Sequence, residues 1–317
     1  MSLEQILIIC RLPDVHVEAV TKHINEANFT FDVWDINNPK TLKFSIPINI
    51  NSSFQYKSVW WRYKGTWLEY QGTLKTQEAF ATREWLAGLR GLASLTTDIF
   101  WINNPVSTAA CNLKIRNLQI AAAQGFNIPQ TLITNSPDDF EFFLTQIPSQ
   151  KAIYKPLTYY YEEDNIAVFT SLVPLDAPTK FKNNIYVTPL LLQEQIEKEF
   201  ELRITVVGEK AYSVRIDSQS FNSTRIDWRR DQTIENLYSQ FVLPEHIESK
   251  IISLHKKLGL VYGAYDFIVD KSGEFVFLEV NPSGQWLWLE QATGIEISSA
   301  IAQLLIDGNI RPTMNET

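Results

Sequence analysis

Two runs of alternating apolar residues, Tyr262–Asp270 and Glu274–Val280, flank the dipeptide Ser272-Gly273. A short glycine-containing connection between such runs predicts an antiparallel hairpin. If Lys271 opposes Glu274, then Asp266 opposes Glu279 and Asn281 opposes Ala264. One face then carries Tyr265, Phe267 and Val269 against Val276, Leu278 and Val280, all apolar and suited to covering a core. The other face carries Asp266, Glu279 and Asn281. Carboxylates placed directly opposite one another repel, which costs stability unless a cation sits between them. Oxygen donors of this kind suit Mg²⁺, which keeps water or phosphate oxygens as its remaining ligands. A solvated strand face explains the same pattern without a metal, so this hairpin alone leaves both readings open.

A second hairpin joins Glu201–Val207 to Ala211–Asp217 around Gly208-Glu209. A two-residue loop would set Arg203 opposite Val214. A three-residue loop would set Arg203 opposite Arg215 and Glu201 opposite Asp217, leaving Leu202, Ile204, Val206, Tyr212, Val214 and Ile216 as an unmixed apolar face. Register follows the buried face, so the second pairing is the one expected. Its two arginines would need an anion between them, and phosphate is the obvious one. Surface arginines held by Glu201 and Asp217 are the alternative.

The rest of the chain reads as mixed helix and strand. Ile6–Cys10 is a short apolar strand, Pro13–Ala27 a helix with Val17, Val20 and Ile24 on one face, and Phe29–Asp35 and Ser58–Tyr63 two further strands. Thr76–Leu95 is helical, Ile99–Asn103 a last strand, and Asn103-Asn104-Pro105 a break. Ser107 is an expected N-cap for one helix running through Leu113 and Ile120 to Gly125. Ile128–Thr134, Ala152–Pro156, Ile166–Phe169 and Leu190–Ile196 read as strands, with a helix over Asp138–Gln146 and a tail at Arg311–Thr317.

With 317 residues, 45% of them hydrophobic, the chain has room for two or three packed domains. Its 28 Lys and Arg against 36 Asp and Glu give a net charge of −8, which disfavours a nucleic-acid partner. Cys10 and Cys111 are too few for a disulfide framework or a zinc site and read as buried thiols. Met1–Gln5 lacks a basic segment, and no apolar run is long enough to span a bilayer, so a cytoplasmic protein without a membrane partner is expected. His16, His23, His246 and His255 all lie on helical stretches and are given no catalytic part.

Six segments add up to a family. They are Asn112-Leu113-Lys114 opening a helix that leads to Ile128-Pro129-Gln130-Thr131, then Ile153-Tyr154-Lys155-Pro156, Leu192–Ile196, Glu201-Leu202-Arg203 and Phe277–Pro282. In that order and spacing the chain resembles an ATP-grasp ligase over roughly residues 100–305. Val59-Trp60-Trp61-Arg62, Phe100–Pro105, Asp227-Trp228-Arg229 and Asn281–Trp286 further resemble the ligases of microviridin-type peptides, the graspetide synthetases. One departure is that Leu157–Asn165 contains no glycine, whereas many ATP-grasp enzymes cover the phosphates with a Gly-rich loop after the second lysine. Tyr159–Tyr161 then face either the peptide or solvent.

The resemblance implies an α/β (α+β) ATP-grasp architecture: an N-terminal open α/β sheet (1–106), a central subdomain (107–190) and a C-terminal subdomain (191–317), the last two clasping ATP. It implies Lys114 and Lys155 on the phosphates, Gln193, Glu194, Gln195 and Ile196 as a hinge reading adenine through the peptide groups of Glu194 and Ile196, and Glu201 on the ribose. Asp266, Glu279 and Asn281 would hold Mg²⁺, and Arg203 and Arg215 would stabilise the transferring phosphoryl group. Asp227 as base and Arg229 as carboxylate clamp would handle the peptide; a charged surface loop explains these two equally well. The implied partner is a ribosomal precursor peptide with a leader, and a homodimer is the candidate assembly. The implied reaction phosphorylates an Asp or Glu side chain and joins it to a Ser or Thr hydroxyl or a Lys amine. Two alternatives stay open: a glutathione synthase or glutamate-ligase type of enzyme, and an ATP-binding regulatory module without chemistry.

Overall fold

A run of consecutive apolar residues is what a strand needs when both faces of its sheet are covered, and Ile6–Cys10 is such a run. In the computed structural model, which describes residues 5–42, 54–62, 75–158, 170–230, 234 and 236–310, these five residues are fully buried. Tyr63, Tyr159–Tyr161, the strand expected at Ile166–Phe169, Asp231 and Arg311–Thr317 lie outside the described residues. The N-terminal parallel sheet contains β1 (Gln5–Cys10), β2 (Thr30–Asp35), β3 (Ser58–Trp61) and β4 (Phe100–Ile102) in the order β2-β1-β3-β4. Helix α1 (Val15–Glu26) covers one face through Val17, Val20 and Ile24; α2 (Lys75–Leu95) covers the other through Leu89 and Leu92.

The single helix expected from Ser107 to Gly125 is two helices, α3 (Pro105–Cys111) and α4 (Lys114–Ala123). Asn104, not Ser107, caps α3 by accepting from the Val106 N–H, with Pro105 in the first turn where its missing N–H is harmless. Between the helices Asn117 Nδ2 donates to the Cys111 carbonyl, so a side chain takes over a helix-end acceptor.

The central antiparallel sheet contains β5 (Thr131–Thr134), β6 (Ala152–Lys155), β7 (Ser171–Leu172) and β8 (Leu190–Glu194) in the order β5-β8-β6-β7. Helices α5 (Pro137–Gln146), α6 (Ala177–Lys180) and α7 (Lys182–Ile185) pack on it around Phe140, Leu144 and Ile185. Strand β8 thus belongs with residues before position 190, although the division of the sequence places most of it after.

The third sheet is antiparallel, with β9 (Lys198–Val207), β10 (Lys210–Ile216), β11 (Tyr238–Gln240), β12 (Tyr262–Asp270) and β13 (Phe275–Asn281) in the order β11-β10-β9-β12-β13. Helix α8 (Glu245–Leu258), ended by Gly259 at φ 72°, packs with α4 against Leu202, Ile204, Tyr265 and Phe267. Two short helices follow, α9 (Leu287–Thr293) and α10 (Ile297–Asp307). Helix α10 leaves its own sheet's main core and joins α1 and β1 through Ile297, Ile301 and Leu305. The cores are therefore interleaved: a helix near residue 120 completes the third sheet, and the last helix completes the first.

Both hairpins correct the expected registers. Lys210 pairs with Val207, so the loop Gly208-Glu209 has two residues; Arg203 faces Val214, and Arg215 faces Leu202. Arg203 and Arg215 consequently stand on opposite faces of the sheet. In the other hairpin Ala264–Asn281 and Asp266–Glu279 pair as expected, but the register then slips by one and Phe267 faces Phe277. A β-bulge at Leu278 absorbs the extra residue, so Phe275, Phe277 and Val280 face the core in place of Val276 and Leu278.

Candidate active site

The hydrophilic face of the third sheet gathers charge because neighbouring strands supply it in register. Asp266 on β12 pairs with Arg203 on β9 and with Glu279 on β13, so all three side chains emerge on one face. Arg203 Nη1 lies 2.7 Å from Asp266 Oδ1, both nearly buried. Arg229 Nη2 lies 2.5 Å from Asp266 Oδ2 and 3.2 Å from Glu279 Oε1. Lys114, the first residue of α4, brings Nζ to 3.5 Å from Glu279 Oε2 and donates to the Pro156 carbonyl at 2.9 Å. Lys155, at the end of β6, is half-buried within electrostatic reach of Glu279, Lys114, Arg229 and Asp266. The repulsion between Asp266 and Glu279 is thus answered by cations of the protein itself.

Desolvation would raise the Glu279 pKa, but Lys114, Arg229, Lys155 and Arg203 outweigh it and hold the group far below its usual range. Lys155 is pushed down, first by desolvation, with Lys114 and Arg229 adding to it against Glu279 and Asp266. Four cationic side chains surround Asp266, Glu279 and the adjoining Asp227. The positive excess is what a polyphosphate would neutralise.

The loop Asp217–Arg230 delivers Arg229. Trp228 is buried against Tyr238 and Trp288, at ring-centroid distances of 6.3 and 4.9 Å. The Arg229 N–H donates to Asp227 Oδ1 at 3.1 Å, so the backbone is fixed on both sides of the guanidinium's root. Asp227 is buried and turned toward Arg229, with Oδ1 3.5 Å from Nη1. Asn281 follows Glu279 on the same face and its Oδ1 accepts from the Ser283 N–H at 2.9 Å. Asp266, Glu279 and Asn281 supply only hard oxygen donors within two paired strands, a set that fits Mg²⁺ shared with phosphate.

The expected adenine hinge, Gln193–Ile196, runs from the end of β8 into the link to β9, between the central and third sheets. The Glu194 N–H donates to the Gln130 carbonyl and the Gln195 N–H to the Lys151 carbonyl, so neither donor faces a ligand. Gln193 is buried and donates to Thr131 Oγ1 at 3.0 Å. Glu201 is buried beside Lys198, Nζ to Oε1 2.6 Å; desolvation raises its pKa despite that cation. Arg215 is the expected residue that the sheet does not bring to the cluster. It pairs with Asp217 at 2.7 Å and lies over the Phe200 ring on the opposite face.

Several supporting residues had no role assigned from the sequence. Arg62 is buried, donates to the Ser283 and Gly284 carbonyls at 2.8 and 3.2 Å, and is held by Asp14. Asn103 donates to the carbonyls of Pro282 and Tyr262. The N-terminal unit thereby pins the turn after Asn281, whose Gln285 carbonyl accepts from Arg203 at 3.4 Å. A Cβ on Gly284 would lie 2.8 Å from Arg203 Nη2 and 2.5 Å from the Ala264 Cβ, so any side chain here forces a neighbour to shift. The signal for Arg62 and Asn103 was their place in aromatic motifs; contacts across 159 to 222 residues leave no local periodicity to read.

Residues 111–305 match the RimK-like ATP-grasp domain. A probable alpha-L-glutamate ligase of Vibrio atlanticus is 25% identical over 223 residues, 69% of this chain and 70% of that protein. Among the solved structures that match along nearly the whole chain are two ligases with bound peptides. One is a RiPP-associated ATP-grasp ligase of Chryseobacterium gregarium in complex with ADP and a leader and core peptide, with 27% identity, TM-score 0.82, and 97% of this chain and 98% of that chain covered. The other is the macrocyclase MdnC of Microcystis aeruginosa bound with precursor peptide MdnA, with 27% identity, TM-score 0.82, and 96% and 99% covered.

Proposed function

Because this chain belongs to the RimK-like ATP-grasp family and has the ATP-grasp fold, we propose that it is a ligase that closes rings in a ribosomal precursor peptide. As an ATP-grasp ligase it couples ATP cleavage to ester or amide formation. The observation that carries the peptide reading is the extent of the likeness: it includes the N-terminal sheet in MdnC and the Chryseobacterium ligase, both of which were solved with precursor, leader or core peptides bound. Glutamate-ligase relatives match over 69% of the chain, and they support a second reading in which an amino acid is added to a terminus.

Condensation of a carboxylate with an alcohol or amine in water needs activation. Lys114 and Lys155 would hold the phosphates of ATP, and Gln193–Ile196 and Glu201 would border the adenosine. Asp266, Glu279 and Asn281 would hold Mg²⁺, whose chemistry there is to neutralise phosphate charge. Arg229 would present an Asp or Glu side chain of the peptide. Its carboxylate oxygen attacks the γ-phosphorus, the bond to the bridging oxygen of ADP breaks, and Arg203 stabilises the charge on the transferring group. A hydroxyl or amine of the same peptide then attacks the acyl phosphate carbonyl, phosphate leaves, and Asp227 takes the proton. A leader on the precursor and dimerisation of the enzyme belong to this reading.

Incubation with ATP and a candidate precursor, a short peptide rich in Thr/Ser or Lys and Asp/Glu, tests it by mass. Loss of one water per ring supports the proposal; gain of a glutamate residue mass supports the second reading and ends the first.

A further inference from the structure

The four carboxylate oxygens of Asp266 and Glu279 each meet a cation of the protein, but not in the same way. Arg203 takes the outer oxygen of Asp266 at 2.7 Å, and Lys114 the outer oxygen of Glu279 at 3.5 Å. One nitrogen, Arg229 Nη2, bridges the two inner oxygens at 2.5 and 3.2 Å. A single positive centre between two opposed carboxylates is the position a bridging divalent cation would take. The Arg229 side chain is also the most exposed of the three, 34% against 7% for Arg203 and 16% for Lys114, so it is the one of the three that borders solvent. Its backbone is held by Asp227 and by Trp228 in its aromatic cluster.

From this arrangement, and resting on the nucleotide-and-metal reading above, we propose that Arg229 is a resident counter-ion that a divalent metal must displace. Arg229 and the metal exclude one another at the inner oxygens of Asp266 and Glu279. The displaced guanidinium, its root unmoved, turns toward solvent and becomes available to an acidic side chain of the substrate. Metal binding and binding of an acidic peptide therefore reinforce each other, since each draws Arg229 away from the state that opposes it.

The test is Mn²⁺ binding to the ADP-loaded protein, followed by the electron paramagnetic resonance of free Mn²⁺. Arg229→Gln is expected to bind Mn²⁺ at least about tenfold tighter than the native chain, the scale on which one adjacent charge shifts a carboxylate site. Arg229→Lys should fall between them. Lys198→Gln, which removes a cation from the same face without touching Asp266, should change the affinity by much less. An affinity unchanged or weakened in Arg229→Gln overturns the proposal, as does an equal gain in Lys198→Gln, which would reduce the effect to general field. A second measurement is Trp emission on adding Mg²⁺: the Arg229 guanidinium lies 5.2 Å over the Trp228 ring, so the native chain should respond and Arg229→Gln should not. If native and variant chains with ADP both fail to bind Mn²⁺, the metal reading itself falls. If the native chain binds and Arg229→Gln shows no gain, only the counter-ion falls.

Discussion

Glu201 and Glu279 stand on the same face of one sheet, and their affinities for protons are pushed in opposite directions. Desolvation raises Glu201, for which Lys198 at 2.6 Å is not enough compensation. Glu279 feels the same desolvation, yet Lys114, Arg229, Lys155 and Arg203 drive it down. One close ion pair, with Ser218 and a more distant Arg229 added, does less than the four cations around Glu279, because burial penalises charge once and each cation then acts separately. The face is therefore graded, from an end with one lysine to an end with a cationic excess, and phosphate and metal chemistry belongs at the latter.

Removing the carboxylate at the crowded end should have the largest effect. Glu279→Gln is expected to reduce peptide-dependent ADP release by at least about 10²-fold, the order seen when a single charge-stabilising group is lost. ADP release at the native rate would show that the cationic end is not where the reaction occurs. A subtler way to disturb that end is Gly284→Ala, whose methyl group forces Arg203 or the Ala264 strand to shift. It should cost about 1–3 kcal/mol in urea unfolding, as overpacking does, and should lower ADP release further than stability alone explains.

The two glutamates should also separate by pH. Glu279, depressed in the fold, contributes stability that is present above its ordinary pKa of 4.5 and is lost as pH falls toward about 2. Glu201, raised in the fold, contributes with the opposite sign: stability rises as pH falls through its elevated pKa, and a penalty remains above it. Thermal unfolding of Glu201→Gln relative to the native chain should therefore improve with rising pH, whereas Glu279→Gln should lose ground up to about pH 5 and stay level above it. Parallel curves would remove the contrast. At neutral pH Glu201→Gln itself should shift stability by no more than about 1.5 kcal/mol, the smallest effect of the set.

The site end of the β12–β13 hairpin was legible because opposed carboxylates and a glycine turn fix Asp266 against Glu279. The bulge at Leu278 was not, since one extra residue leaves the apolar alternation on either side looking regular. The β9–β10 register misled for a different reason. Residues 200–207 of β9 are all buried, so both faces of that strand are covered and the purity of one face carries no information about pairing. Loop length was the better guide, and it placed Arg215 away from Arg203. The charged constellation itself was read from motif order across the family. Its restraints, Arg62, Asn103 and Gly284, arise from contacts between distant segments that no local pattern encodes.

The interleaved cores also bear on how the protein is made. On the ribosome, β1 and α1 emerge about 270 residues before α10, the helix that completes their core with Ile297, Ile301 and Leu305. At ordinary elongation rates that interval is roughly 14–54 s. During it the sheet face that α1 packs on lacks its second helix, so the nascent chain has a long window in which a ribosome-associated chaperone can hold it.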